Sequence, residues 1–284
     1  MQVLSIQSSV AYGHVGNSAA VFPLQRLGHE VWAVHTVHLS NHTGYDTWRG
    51  PQHPATDVAA VLAGIAERDV FREIDAVLSG YQGAEDMGAV ILAAVADVKR
   101  ANPAAVYCCD PAMGDLGRGM FVRPGIPEFV RDQVVPAADI LTPNHFELDF
   151  LAGTTTRGLD EVLRAVGALR ARGPRHVLVT SVLHDGAEED HIDVVAVSDA
   201  GAWVVTTPRL PITPNGCGDL TAALYLAHLT GSGAEVPTAL ERTTSTVFAV
   251  LEETLARGAR EMRLVANQHA IAEPPPSFRA RRLR

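Results

Sequence analysis

The chain repeatedly switches between short apolar runs and stretches with an apolar residue every third or fourth position. This alternation constrains its fold more than any other feature. Val3–Gln7, Glu30–Leu39, Ala76–Ser79, Ala105–Cys109, Ile140–Thr142 and His176–Thr180 read as strands. Between them, Asn17–Leu27, Asp57–Arg68, Glu85–Arg100 and Asp160–Arg172 read as helices, the last stopping at Gly173-Pro174. Such a succession predicts an α/β fold of three layers, α/β/α, around a mostly parallel sheet. The rhythm breaks at His191–Ser198 and Ala202–Thr207, which read as a β-hairpin through Asp199-Ala200-Gly201. The helices Gly216–Leu229 and Pro237–Arg257 follow. No composition break marks a second domain, so residues 1–284 are expected to form one domain. The basic tail from Glu273 through three prolines to Arg284 is expected to be partly mobile.

In such a fold, ligands sit beyond the carboxyl ends of the strands, and three corners there carry unusual chemistry. The first is Asn215-Gly216-Cys217-Gly218-Asp219, directly before an apolar helix. Glycines let the backbone approach a ligand closely, and the first amides of a helix lack intrahelical acceptors. Together they form an anion site. A carboxylate at such a place suits a base that takes a proton from a hydroxyl while the amides stabilise a phosphoryl group. By itself the pentapeptide is equally an ordinary glycine turn with Asp219 at a helix start. The second corner is Asp110-Pro111-Ala112-Met113-Gly114-Asp115, which offers carboxylates of the kind magnesium takes. The third is Thr142-Pro143-Asn144-His145-Phe146-Glu147. Alone, these two read as an Asp-Pro turn and a helix cap; three such corners in one chain are harder to dismiss.

Composition removes other chemistries. Lys99 is the only lysine, so there is no GxxxxGK[ST] phosphate loop, and any lysine Schiff base would need this residue from the charged end of a helix. A net charge of −9 disfavours non-specific attraction to nucleic acid or anionic membrane. Bound phosphate must therefore be held locally. Three cysteines (Cys108, Cys109, Cys217) without metal-ligand spacing suggest a reducing compartment. No signal peptide or apolar span of membrane length is evident, which points to the cytoplasm. Charged residues make up only 19%, which is compatible with an oligomer interface.

Taken together, the corners resemble those of the ribokinase-like small-molecule kinases, whose GxGD loop is matched by Gly216-Cys217-Gly218-Asp219. The segments Gln7–Ala20, Ser40–Tyr45, Leu78–Tyr81, Cys109–Asp115 and Thr142–Leu148 are similar to those of the pyridoxal kinases. The resemblance implies ATP-dependent phosphorylation of the 5′-hydroxyl of pyridoxal in vitamin B6 salvage, by a homodimer. It implies Asp219 as catalytic base, with the amides of Gly216, Cys217 and Gly218 as anion hole. Ser8 and Thr43 would bond the polar edge of the pyridine ring. Val15, Val37 and Tyr81 would enclose its faces, with His42 as an orienting donor. Asp110, Asp115 and Glu147 would serve magnesium and ATP, with Asn144 beside them and Thr142 near a monovalent cation such as K+. Thr180 and Ser181 would contact ATP phosphates, and Thr207, Pro208, Arg209 and Leu210 would border the nucleotide.

The chain departs from the family pattern at Ala112, where valine is usual, at Asn215 and Cys217 in the glycine loop, and at Thr180, where some bacterial relatives carry lysine. Cys217 reads better as a small filler than as a reactive thiol. The polar segment Ser40–Pro54 could form a lid. Three rival readings share the fold: a hydroxymethylpyrimidine kinase, a non-catalytic pyridoxal phosphate-binding protein, and a sugar or nucleoside kinase. The apolar and aromatic Val15, Val37 and Tyr81 disfavour the last.

Overall fold

A computed structural model describes residues 1–284. Its centre is a nine-stranded sheet. The parallel strands are β1 (Gln2–Val10), β2 (Glu30–Leu39), β3 (Ala76–Ser79), β4 (Val106–Cys109), β7 (Ile140–Leu141) and β8 (His176–Val182), in the order β2-β1-β3-β4-β7-β8. The hairpin β9 (His191–Ser198) and β10 (Gly201–Pro208) extends the sheet antiparallel beside β8. Two reversals leave β10 running in the same direction as β8, so Thr207 and Pro208 end at the edge where the parallel strands end.

β1 is buried along nearly its whole length because it lies inside a parallel sheet covered on both faces. One face is covered by α2 (Ala55–Ala66), α3 (Met87–Ala101), α6 (His145–Ala152) and α7 (Leu159–Arg170), which share one core with it. On α3, Met87, Ile91, Ala94, Val95 and Val98 form the buried stripe. The other face carries α1 (Asn17–Arg26), α8 (Cys217–Leu226) and α9 (Val236–Ala256).

Three regions differ from the sequence expectation. A small hairpin, β5 (Gly114–Asp115) with β6 (Gly119–Met120), stands at the corner after β4. A broken helix, α4 (Ile126–Phe129) and α5 (Val135–Ala137) joined by a π turn, fills a stretch whose prolines hide helical periodicity. The tail carries a short strand that the sequence does not announce. β11 (Arg281–Arg282) pairs with β10, the Ala280 amide donates to Glu241 at 2.8 Å, and Phe278 packs edge-on against Phe248. A short helix, α10 (Gln268–Ala272), precedes it. No helix is long and apolar enough to cross a membrane.

Candidate active site

The glycine loop opens α8 as its sequence demands. Gly216 caps the helix in the left-handed region at φ 87°. A Cβ there would lie 1.8 Å from the His14 carbonyl oxygen, so the loop after β1 rests directly on the glycine backbone. The first amide with an intrahelical acceptor is that of Leu220, which donates to Gly216 at 3.0 Å. The amides of Cys217 and Gly218 therefore remain free at the positive end of the helix dipole. The Cys217 thiol donates to the Pro214 carbonyl, and burial pushes its pKa up to about 12. A thiol raised this far is neutral near pH 7.

Asp219 stands on the first turn of α8. Burial pushes its carboxyl up to about 6, against amide contacts from Gly16 and from its own backbone. A Cβ on Gly80 would come within 3.4 Å of its Oδ1. The two glycines beside the carboxylate, Gly16 and Gly80, are chain neighbours of Val15 and Tyr81. Val15 packs with Val10, Val37 and Leu39, and Tyr81 lies against this group. The structure thus gathers Val15, Val37 and Tyr81 into one apolar wall beside Asp219, with Ser8 buried at its base. His42 and Thr43 lie in the loop after β2. The Gly44 amide donates to His42 Nδ1 at 2.9 Å, which leaves Nε2 as the nitrogen that carries the proton in the neutral ring. Burial, then the nearby Arg118, lowers the pKa of His42 and favours that neutral form.

The second and third corners interlock. Asn144 caps α6 by accepting from the Glu147 amide at 3.0 Å, and the Glu147 carboxylate returns a contact to the Asn144 amide at 3.0 Å. The other Glu147 oxygen accepts from the Met113 amide at 2.7 Å and the Gly114 amide at 3.3 Å. The Asn144 side-chain amide donates to the Gly114 carbonyl at 2.7 Å. Glu147 and Asn144 therefore cap α6, as the cap reading expects, and in addition fasten the Asp110–Asp115 turn to it. Glu147→Ala would strand three amides and is expected to destabilise the protein by about 3 kcal/mol, read as a lower Tm, in addition to any loss of activity.

Asp110 lies close to both Asp219 and Glu147, and none of the three carboxylates is paired with a basic side chain. Burial, then the charges of Asp219 and Glu147, pushes the Asp110 carboxyl well above its usual range. Burial likewise carries Glu147 up to about 7. Gly218 leaves room for Asp110, whose Oδ2 would lie 3.3 Å from a Cβ at that position. Asp115 acts on Glu147 through its charge but is itself paired with Arg118. It accepts from the Gly117 and Arg118 amides at 3.1 and 2.8 Å and from Arg118 Nε at 2.6 Å. Burial raises its pKa, but the Arg118 contacts outweigh this and the net shift is downward.

The remaining residues line the same sheet edge. The Thr142 hydroxyl faces the Cys109 carbonyl at 3.5 Å. Thr180 donates its amide to Pro143, and with Ser181 it forms a bulge in β8 where Ser181 takes a positive φ of 55°. Ala112 is also left-handed, at φ 47°. Two of the three non-glycine residues with positive φ thus lie at these corners, and such backbone strain gathers at functional sites. Thr207 is buried at the end of β10, Pro208 and Arg209 are exposed, and Leu210 is half-buried. Lys99 lies far along α3 in a surface ion pair with Asp139 at 2.6 Å, outside the site. Sequence reading missed Gly16 and Gly80 as neighbours of Asp219, and also Arg118, Arg260 and Glu261. Their proximity is a property of the fold, with no local motif to announce it.

Residues 64–264 match the family model for phosphomethylpyrimidine kinase. That match begins after Ser8, Val15, Val37, His42 and Thr43. Curated relatives that align over the full length cover these residues. Pyridoxal kinase PdxY of Rubrobacter xylanophilus is 59% identical over 100% of this chain and 98% of the relative. The same-named protein of Leifsonia xyli is 56% identical over 100% of both chains. Among solved structures, pyridoxal kinase from Leishmania donovani in complex with ADP and pyridoxamine superposes with a TM-score of 0.93 at 28% identity, covering 100% of this chain and 99% of that one. The fold is ribokinase-like, and the chain belongs to the pyridoxal kinase family.

Proposed function

We propose that Asp219 is the base in the reaction of this kinase, taking the proton of the 5′-hydroxyl of pyridoxal as that oxygen attacks the γ-phosphorus of ATP. The observation that carries this reading is the shared boundary at Val15-Gly16 and Gly80-Tyr81. The glycines meet the carboxylate, while their neighbours form an apolar wall of the kind a small aromatic ring packs against. The free amides of Cys217 and Gly218, with the loop backbone at Gly216, stabilise charge on the transferring group. Ser8 and Thr43 supply polar contacts to the ring, and neutral His42 donates through Nε2. Thr180 and Ser181 at the β8 bulge, with Thr207–Leu210, border ATP. Positioning and electrostatics supply most of the rate in such transfers.

The carboxylates fit a hard divalent cation, because Asp110 and Glu147 are buried oxygen donors with no basic partner. Magnesium bound there with ATP would neutralise phosphate charge. Asp110 would be its principal protein ligand, with Glu147 behind it. Asp115 contributes only if it leaves Arg118. Thr142 at the end of β7 is where a monovalent cation such as K+ would lie. A homodimer in a reducing, cytoplasmic setting accords with the low overall content of charged residues and three free cysteines, two of them buried.

The test is a coupled assay of ATP consumption against pyridoxal, pyridoxine, pyridoxamine and hydroxymethylpyrimidine, with mass spectrometry of the products. The reading expects the highest kcat/KM for a B6 vitamer and a product carrying one phosphate. A preference for hydroxymethylpyrimidine would overturn it.

A further inference from the structure

The loop that carries His42 and Thr43 is tied to a distant segment, Arg260–Met262. The Tyr45 hydroxyl donates to Glu261 Oε1 at 2.5 Å. The other Glu261 oxygen accepts from the His14 amide at 3.3 Å, and this side chain lies so close to Gly13 that a Cβ there would be 2.2 Å from it. Arg260 donates to the Gly44 carbonyl at 3.0 Å and stacks its guanidinium over the Tyr45 ring, 3.6 Å from the centroid. Tyr12 packs edge-on against the same ring at 6.1 Å. Met262 completes the junction. Its sulfur lies 3.7 Å from the Cys217 thiol, and its methyl would lie 2.9 Å from a Cβ on Gly216. Three consecutive residues thus touch the loop after β2, the loop after β1 and the anion-binding glycine turn.

We propose that Arg260 and Glu261 are positioning residues that latch the 42–45 loop over the vitamer pocket and hold it in register with the glycine turn of α8. The proposal rests on the reading above that His42 and Thr43 contact the vitamer. Neither Arg260 nor Glu261 touches a reacting atom. Each acts through Tyr45 and Gly44, which fix where His42 and Thr43 stand. Glu261 ties the loop to the backbone beside Val15, so the polar lid and the apolar wall move as one body. A latch of this kind lowers the ordering cost of substrate binding and leaves the nucleotide side untouched.

The test uses the full chain and steady-state kinetics with both substrates varied. Tyr45→Phe keeps the ring under Arg260 and removes only the hydroxyl. Glu261→Gln keeps the shape and removes the charge. Each is expected to raise KM for pyridoxal about tenfold, the loss that goes with a hydrogen bond to a charged acceptor. KM for ATP and kcat at saturating pyridoxal should stay within about twofold. The double variant should be clearly less than additive, because both substitutions weaken the same Tyr45–Glu261 contact. Arg260→Ala should behave likewise, and Arg260→Lys should recover part of the loss because a cation again faces the ring.

An unchanged pyridoxal KM, an equal rise in both KM values, or additive effects in the double variant would overturn the latch. A lower Tm without the KM split would show a purely structural role and overturn it too. Thr43→Ala separates this failure from failure of the reading beneath it. If Thr43→Ala raises the pyridoxal KM and the latch variants do not, the latch alone falls. If Thr43→Ala has no effect on that KM, the vitamer pocket is misplaced and the latch falls with it.

Discussion

Asp219→Asn is expected to lower kcat by about three orders of magnitude while KM for pyridoxal changes less than about threefold. A general base contributes on the order of 10²- to 10⁴-fold. The asparagine side chain keeps the shape and some of the hydrogen bonding but cannot accept the proton. The pH dependence gives an independent check. The Asp219 carboxyl is raised to about 6 in the free enzyme, chiefly by burial. A base must be unprotonated, so at saturating magnesium and ATP, which hold Asp110 and Glu147 ionised, kcat/KM for pyridoxal should be flat above that value and fall roughly tenfold per unit of pH below it. In Asp219→Asn the acidic limb should disappear from whatever activity remains. A variant with near-normal turnover, or an acidic limb that survives the substitution, would remove Asp219 from the role of base.

The second large effect is expected at Gly216. Gly216→Ala should lower kcat/KM at least about 100-fold and reduce stability by on the order of 2 kcal/mol from the left-handed backbone alone. The larger part of the damage is steric. A methyl group 1.8 Å from the His14 carbonyl oxygen cannot be accommodated by a rotamer change, because the obstacle is backbone. Either the glycine turn or the 12–16 loop must move, and each carries part of the site. Losing one preorganised oxyanion donor costs on the order of 10²- to 10³-fold in kcat. Gly233→Ala is an informative control. It shares the positive φ, at 61°, but has open space around its Cβ. It should therefore show the backbone penalty on Tm with little change in activity. Equal kinetic effects at the two glycines would argue against the close approach described here.

How far the sequence reveals this site depends on where each constraint resides. Ala76–Ser79 and the hairpin strands were readable because short apolar runs and the turn residues Asp199-Ala200-Gly201 are local signals. The Asp219 loop was readable because two glycines before an apolar helix allow few other structures. The run from Ile126 to Ala137 was not, since Pro127 and Pro136 disguise a helix that survives by taking proline in its first turns and by a π turn between. The strand in the tail was hidden for another reason. Arg281 and Arg282 carry no strand pattern, and their place beside Trp203 and Val204 follows from an open sheet edge. Within the site, the resemblance assigned Asp110, Asp115 and Glu147 together to magnesium and ATP. Only the folded chain shows that Glu147 is bound to three amides while Asp110 lacks any cationic partner, which divides their roles. Asp115 had the right chemistry at the right corner, but Arg118, three residues on, holds it. The junction of Tyr45 with Arg260 and Glu261 spans more than two hundred residues, and nothing in either segment announces the other.

The central claim is geometric: one carboxylate at the opening of α8 meets the vitamer's hydroxymethyl group, with the anion-binding amides alongside. A crystal structure with pyridoxal and a non-hydrolysable ATP analogue measures it directly. The account predicts an Asp219 oxygen about 3 Å from the 5′-oxygen, with the γ-phosphate facing the amides of Cys217 and Gly218. A pyridoxal ring seated against Val15, Val37 and Tyr81 with its 5′-oxygen turned toward some other base would contradict it.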